Sequence, residues 1–90
     1  MLMAIEVKAS ERHKGRLTAR ELVKDIEKLH AHRYEVRFRG ADMVPVVIAI
    51  DTAPDSRERM RDESLHDVKA FAQASDVMFY YLSPTETSIS

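Results

Sequence analysis

The apolar segments of this chain fall in an order that reads as two successive strand, helix, strand units within 90 residues, and few small folds accommodate that order. Met3, Ile5 and Val7 alternate with Ala4, Glu6 and Lys8, which predicts a first strand over about residues 2–8 with one apolar and one mixed face. After a polar loop over residues 9–16 comes the clearest local signal. Thr18-Ala19-Arg20-Glu21 has the spacing of a capping box, and Leu17 and Leu22 stand at the spacing of a hydrophobic staple. A helix is therefore expected from Thr18 to about His32, burying Leu22, Ile26 and Leu29 and turning Lys24, Asp25, Glu27 and Lys28 to water.

The stretch from Arg33 to Arg39 alternates between Tyr34, Val36, Phe38 and Glu35, Arg37, Arg39, which reads as a strand with one solvated face. Gly40-Ala41-Asp42 supplies turn chemistry, and Val46 to Ile50 is apolar on both faces, as an interior strand is. Pro45 cannot donate to a ladder, so it is expected at the first residue of that strand or at a bulge. Asp55 or Ser56 then caps a second helix with Met60, Ser64, Val68, Phe71 and Ala72 on one face, and Val77 to Leu82 forms the last strand. The order β-α-β-β-α-β predicts a ferredoxin-like α+β plait, a four-stranded antiparallel sheet with both helices on one face. Residues 1–83 are expected to form this single domain and residues 84–90 a flexible polar tail.

Ninety residues support one core and leave little stability to spare, which makes pairing with a copy or a partner an expectation. The absence of cysteine removes disulfide and thiolate chemistry. Met1 to Ile5 meets Glu6 too early for a signal peptide, and no segment approaches the roughly 20 apolar residues of a membrane span. A soluble, cytoplasmic protein without membrane contact is expected.

Charge is uneven: residues 1–40 carry ten Lys or Arg against six Asp or Glu, and residues 41–90 carry four against nine. Lys8, Arg12, His13, Lys14, Arg16 and Arg20 surround the first loop with Glu11 as its only acid, a place to meet an anion or an acidic partner. A short charge run is also ordinary solvated surface. Nucleic-acid binding would use this loop with Arg37 and Arg39 as phosphate contacts. Single-stranded RNA readers of the plait stack bases on strand aromatics, and here Ile5, Val7, Val47 and Ile48 stand in those strands, with Tyr80 as the one aromatic on the open face. His30 and His32 point about 200° apart on a continuous helix, so they do not ligate one metal ion there. They suit the negative end of the helix dipole instead. Asp51 and Asp55 bracket Thr52-Ala53-Pro54 beyond the interior strand, where Asp51 could serve a small enzyme as base, although no phosphate loop or nucleophile elbow accompanies it.

The open sheet face is expected to carry Ala4, Glu6, Arg37, Val47, Ala49, Met78, Tyr80 and Leu82, apolar area bordered by charge. The sequence thus favours a small non-catalytic interaction or regulatory module that binds protein, or a second copy of itself, through this face. Lys8, Arg12, Lys14, Arg16, Arg37, Arg39 and Tyr80 are its candidate binding residues, and no cofactor or metal is implied. Nucleic-acid or anion binding through the basic loop over residues 8–20 is the alternative.

Overall fold

A computed structural model describes residues 2–10, 17–53, 59–83 and 87–89. The elements run β1 (Leu2–Ala9), α1 (Ala19–Phe38), β2 (Met43–Ile50), α2 (Asp62–Ala74), β3 (Met78–Leu82) and β4 (Thr87–Ile89). They build one sheet in the order β1-β2-β3-β4, with β1 parallel to β2, β2 parallel to β3, and β4 antiparallel to β3. The antiparallel ferredoxin-like plait is therefore wrong: three parallel strands are joined by two helical crossovers. The short β4 lies within the segment expected to be a tail.

One misread segment accounts for the change. Residues 33–38 continue α1 rather than forming a strand, so the first connection is a single helical crossover, and such a crossover delivers a parallel strand. Period-two alternation over six residues is a weak constraint beside what holds the helix in place. The Arg33 guanidinium donates to Asp42 at 3.1 Å and to Asp76 at 3.0 Å, and the His30 Nδ1 stands 3.1 Å from the Ser75 carbonyl. The helix then stops in a Schellman motif, with the Gly40 N–H on the Arg37 carbonyl and the Ala41 N–H on the Val36 carbonyl. Gly40 takes φ +86°, which glycine adopts without a Cβ penalty.

At its other end α1 begins as the sequence indicates, the Thr18 hydroxyl accepting the Glu21 N–H at 3.3 Å with Leu17 and Leu22 buried. Helix α2 differs. It starts at Asp62 with Arg61 at the cap position and no side-chain cap bond, while Asp55 and Ser56 lie outside the described residues. Asp62 and Glu63 supply negative charge to its first turn, where the exposed N–H groups favour it.

Pro45 sits inside β2 rather than at its first residue or a bulge. The Asp51 N–H bonds the Leu82 carbonyl, so alternation turns odd-numbered N–H groups of β2 toward β3. β3 starts at Met78 opposite Val46, one step beyond Pro45, so the missing donor falls where β3 offers no strand partner.

The core lies between the sheet and both helices. Leu22, Ile26 and Leu29 of α1 and Leu65, Val68 and Ala72 of α2 meet Val47, Ala49, Phe79 and Tyr81 of the sheet. Sheet parity is thus the opposite of that expected for β1 and β2, whereas Met78, Tyr80 and Leu82 of β3 stand on the open face as expected. Val47 and Ala49, together with Ala4, face the helices, and the other set of side chains is left on the open face.

Candidate functional site

The open face is built by strand alternation and register. Across the sheet, Ile5, Val46 and Met78 stand in one row and Val7, Ile48 and Tyr80 in the next. Met3, Ile5 and Val7 are 60%, 53% and 55% exposed, a large exposure for aliphatic side chains in a strand. Glu6 and Lys8, the charged residues of β1, point the other way. Lys8 Nζ lies 3.7 Å from Asp25 and Lys28 Nζ lies 3.8 Å from Glu6, both across the gap between β1 and α1. The expectation that Glu6 and Arg37 border this face with charge is corrected accordingly: β1, β2 and β3 place no charged side chain on it.

The charged residues assigned to this face are elsewhere. Arg37 belongs to α1 and donates to Asp42 at 3.0 Å, and Arg39 is the exposed C-cap of the same helix. Lys8 is in the β1–α1 gap, and of the four candidate binding residues that are described only Tyr80 lies on the open face. Arg12, Lys14 and Arg16 lie outside the described residues.

Asp25 was expected in water and is buried. It falls three residues after Leu22, on the stripe that faces the sheet. Burial raises its pKa, Glu6 adds to the rise, and Lys8 opposes it. The sequence signal was available in the spacing, but an acidic residue there reads as solvent-facing until Lys8 is seen to stand opposite.

Asp51 is no free carboxylate either. It is 1% exposed, and its Oδ2 accepts the Tyr81 hydroxyl and the Met60 N–H, each at 2.9 Å. These bonds tie the end of β2 to β3 and to the approach of α2. A base must reach its substrate, and Asp51 faces the protein interior, so the catalytic nomination is replaced by a structural role. His30 and His32 are mid-helix rather than at its negative end, because α1 continues to Phe38. Among the described residues no three His, Cys, Asp or Glu side chains are grouped to hold a metal ion.

At the far end of α1, Asp42 receives Arg33, Arg37 and the Met43 N–H. The hydrogen bonds from Arg33, then Arg37, then Met43 hold its carboxyl well below the usual carboxylate range. A depressed carboxyl stabilises the fold above its unfolded value of about 4, and that contribution is lost as the pH falls through the folded value. Asp25, shifted upward, runs in the opposite sense and favours the fold as it takes up a proton. Asp42→Asn is expected to flatten the loss of stability below about pH 4, measured as the urea midpoint against pH. An unchanged acid limb would mean the Arg33–Asp42 contact is not populated in solution. Beside this cluster Tyr34 and Phe38 stand 72% and 85% exposed and line a shallow groove with Glu35 and Arg39.

Among the described residues no helix is long and apolar enough to cross a membrane. Set against family models, curated proteins and solved structures, the chain matches none of them.

Proposed function

We propose that this chain is a cytoplasmic protein-interaction module that binds its partner through the open face of the sheet. The observation that carries this is the absence of charge from that face on β1, β2 and β3, with Met3, Ile5 and Val7 more than half exposed. Parallel sheets are covered on both faces in stable proteins, because their strands are apolar on both sides. Here the helices cover one. A contiguous apolar area of this kind marks an interaction surface.

Val7→Lys tests it. Val7 is 55% exposed, so lysine there should shift stability by no more than about 0.5 kcal/mol. The wild-type chain is expected to bind an apolar fluorescent dye or to gain mass with concentration in light scattering, and Val7→Lys to reduce that response several-fold. A wild-type chain that does neither lacks a binding surface on this face.

A second function is supported by position. The segment with Arg12, Lys14 and Arg16 joins the carboxyl end of β1 to the start of α1 at Thr18. Open α/β sheets bind ligands beyond the carboxyl ends of their strands, and a helix N-terminus favours anions. Inorganic phosphate titrated against the chain should then perturb the amides of Leu17 to Leu22, and Lys14→Glu with Arg16→Glu should abolish the effect. Identical spectra with and without phosphate would dismiss anion binding.

A further inference from the structure

Among the described residues the outer edge of β1 is as open as the face beside it. The Ser10 N–H bonds the Ile50 carbonyl, so alternation directs the backbone groups of even-numbered residues toward β2 and those of Met3, Ile5, Val7 and Ala9 outward. Among the described residues no strand pairs there. Exposed edges are normally blunted by proline, a bulge or a charge aimed along them. β1 has no proline, its one-to-one register with β2 admits no bulge, and both of its charges are turned toward α1.

Edge and face converge on the same residues. Met3, Ile5 and Val7 offer their N–H and C=O groups at the edge and their side chains on the open face. We infer that the two form one docking surface, completed by a strand–helix segment of another polypeptide whose strand extends the sheet at β1 and whose amphipathic helix lies across the open face. This names the kind of partner for the protein-interaction function proposed above and rests on it.

Geometry argues for that occupant over a second copy. Antiparallel pairing of two β1 edges about a two-fold axis normal to the sheet puts both apolar faces on the same side and doubles the uncovered area. Face-to-face packing of two copies covers β1 and β2, each about 26 Å long, and the shorter β3, about 17 Å long, at about 4.8 Å spacing, or about 330 Å² of sheet from each. That is less than half of the roughly 800 Å² per partner in a stable interface, and it leaves both edges open. A helix is about 10 Å wide, and about 17 residues of it run the length of β1, so one helix spans most of the face. A strand added to β1 would place its alternate side chains beside Glu6 and Lys8. Those positions call for polar or charged residues, while the alternate set should be aliphatic.

The test is a display selection on the purified full chain with three binary-patterned peptide libraries: strand–turn–helix, helix alone and strand alone. Recovered binders are then measured on two variants. Val7→Pro removes an outward donor that β2 does not use, and Ile5→Lys keeps the edge donor but charges the face. Met3→Pro replaces Val7→Pro if the latter lowers the melting midpoint. The expected result is binders from the strand–turn–helix library alone, weakened at least tenfold by each variant. Binders from the helix library that ignore the proline variant overturn the edge assignment while leaving the face as an interaction surface. A wild-type dimer that Ile5→Lys converts to monomer overturns it in favour of a second copy, again with the interaction function intact. No binders from any library, with a monomer that takes up no apolar dye, overturn both.

Discussion

Phe79→Ala is expected to lower the unfolding free energy by about 3–5 kcal/mol. A domain of this length has about 5–13 kcal/mol in all, so the variant should lose a large part of its resistance to urea. Phe79 is fully buried between the sheet and the helices, opposite Val47 in register and within the same cluster as Leu22 and Val68. Truncation removes the transfer energy of the ring and leaves a cavity bounded by strands that do not readily collapse. The neighbouring Tyr80, on the open face, should cost far less when truncated. The pair is a direct test of sheet parity in urea melts. If Tyr80→Ala destabilises more than Phe79→Ala, the faces are exchanged and the docking surface is on the wrong side.

Asp51→Ala is expected to cost about 2–4 kcal/mol, from the loss of the acceptor of two buried hydrogen bonds at about 1–3 kcal/mol apiece with partial relief from relaxation. The Tyr81 hydroxyl and the Met60 N–H both lose their acceptor, and both residues are buried. Tyr81→Phe should cost only about 1 kcal/mol, because it removes one donor and leaves Asp51 its bond from Met60. A small effect of Asp51→Ala, with Tyr81→Phe equal to it, would mean that water replaces the carboxylate and that the segment after β2 is not anchored here. Hydrogen exchange at the Met60 amide separates these cases. The amide should be protected in the wild type and in Tyr81→Phe, and unprotected in Asp51→Ala.

The misassigned strand shows where sequence reasoning failed. Tyr34, Val36 and Phe38 alternate with charged residues, yet Tyr34 and Phe38 are also four apart, and Arg33, Glu35 and Arg37 are compatible with a helix. Gly40 stood at the position of a helix-ending C′ glycine and was available as a signal that the helix ran on. Deciding between the periods required Asp42 and Asp76, which reach Arg33 from later in the chain. The doubly apolar run from Val46 to Ile50 had likewise pointed toward a parallel sheet, the arrangement in which both faces of a strand are ordinarily covered. Asp25 and Asp51 belong to the same class. Their burial is set by Lys8, Tyr81 and Met60, none of which is a near neighbour in the chain.

What the sequence determined by itself was local: the Thr18 cap, the stripe of Leu22, Ile26 and Leu29, the two-sided apolarity of β2 and the absence of cysteine chemistry. These follow from interactions within one or two turns or from composition, which a linear reading contains. Only the tertiary structure decided that β1 and β2 run parallel and that Val47 and Phe79 face inward. The same holds for the face of Ile5, Ile48 and Tyr80, which remains open. A strand that is apolar on both sides satisfies either parity equally well, so the choice depends on which set the helices meet, and that is fixed only when distant segments pack together.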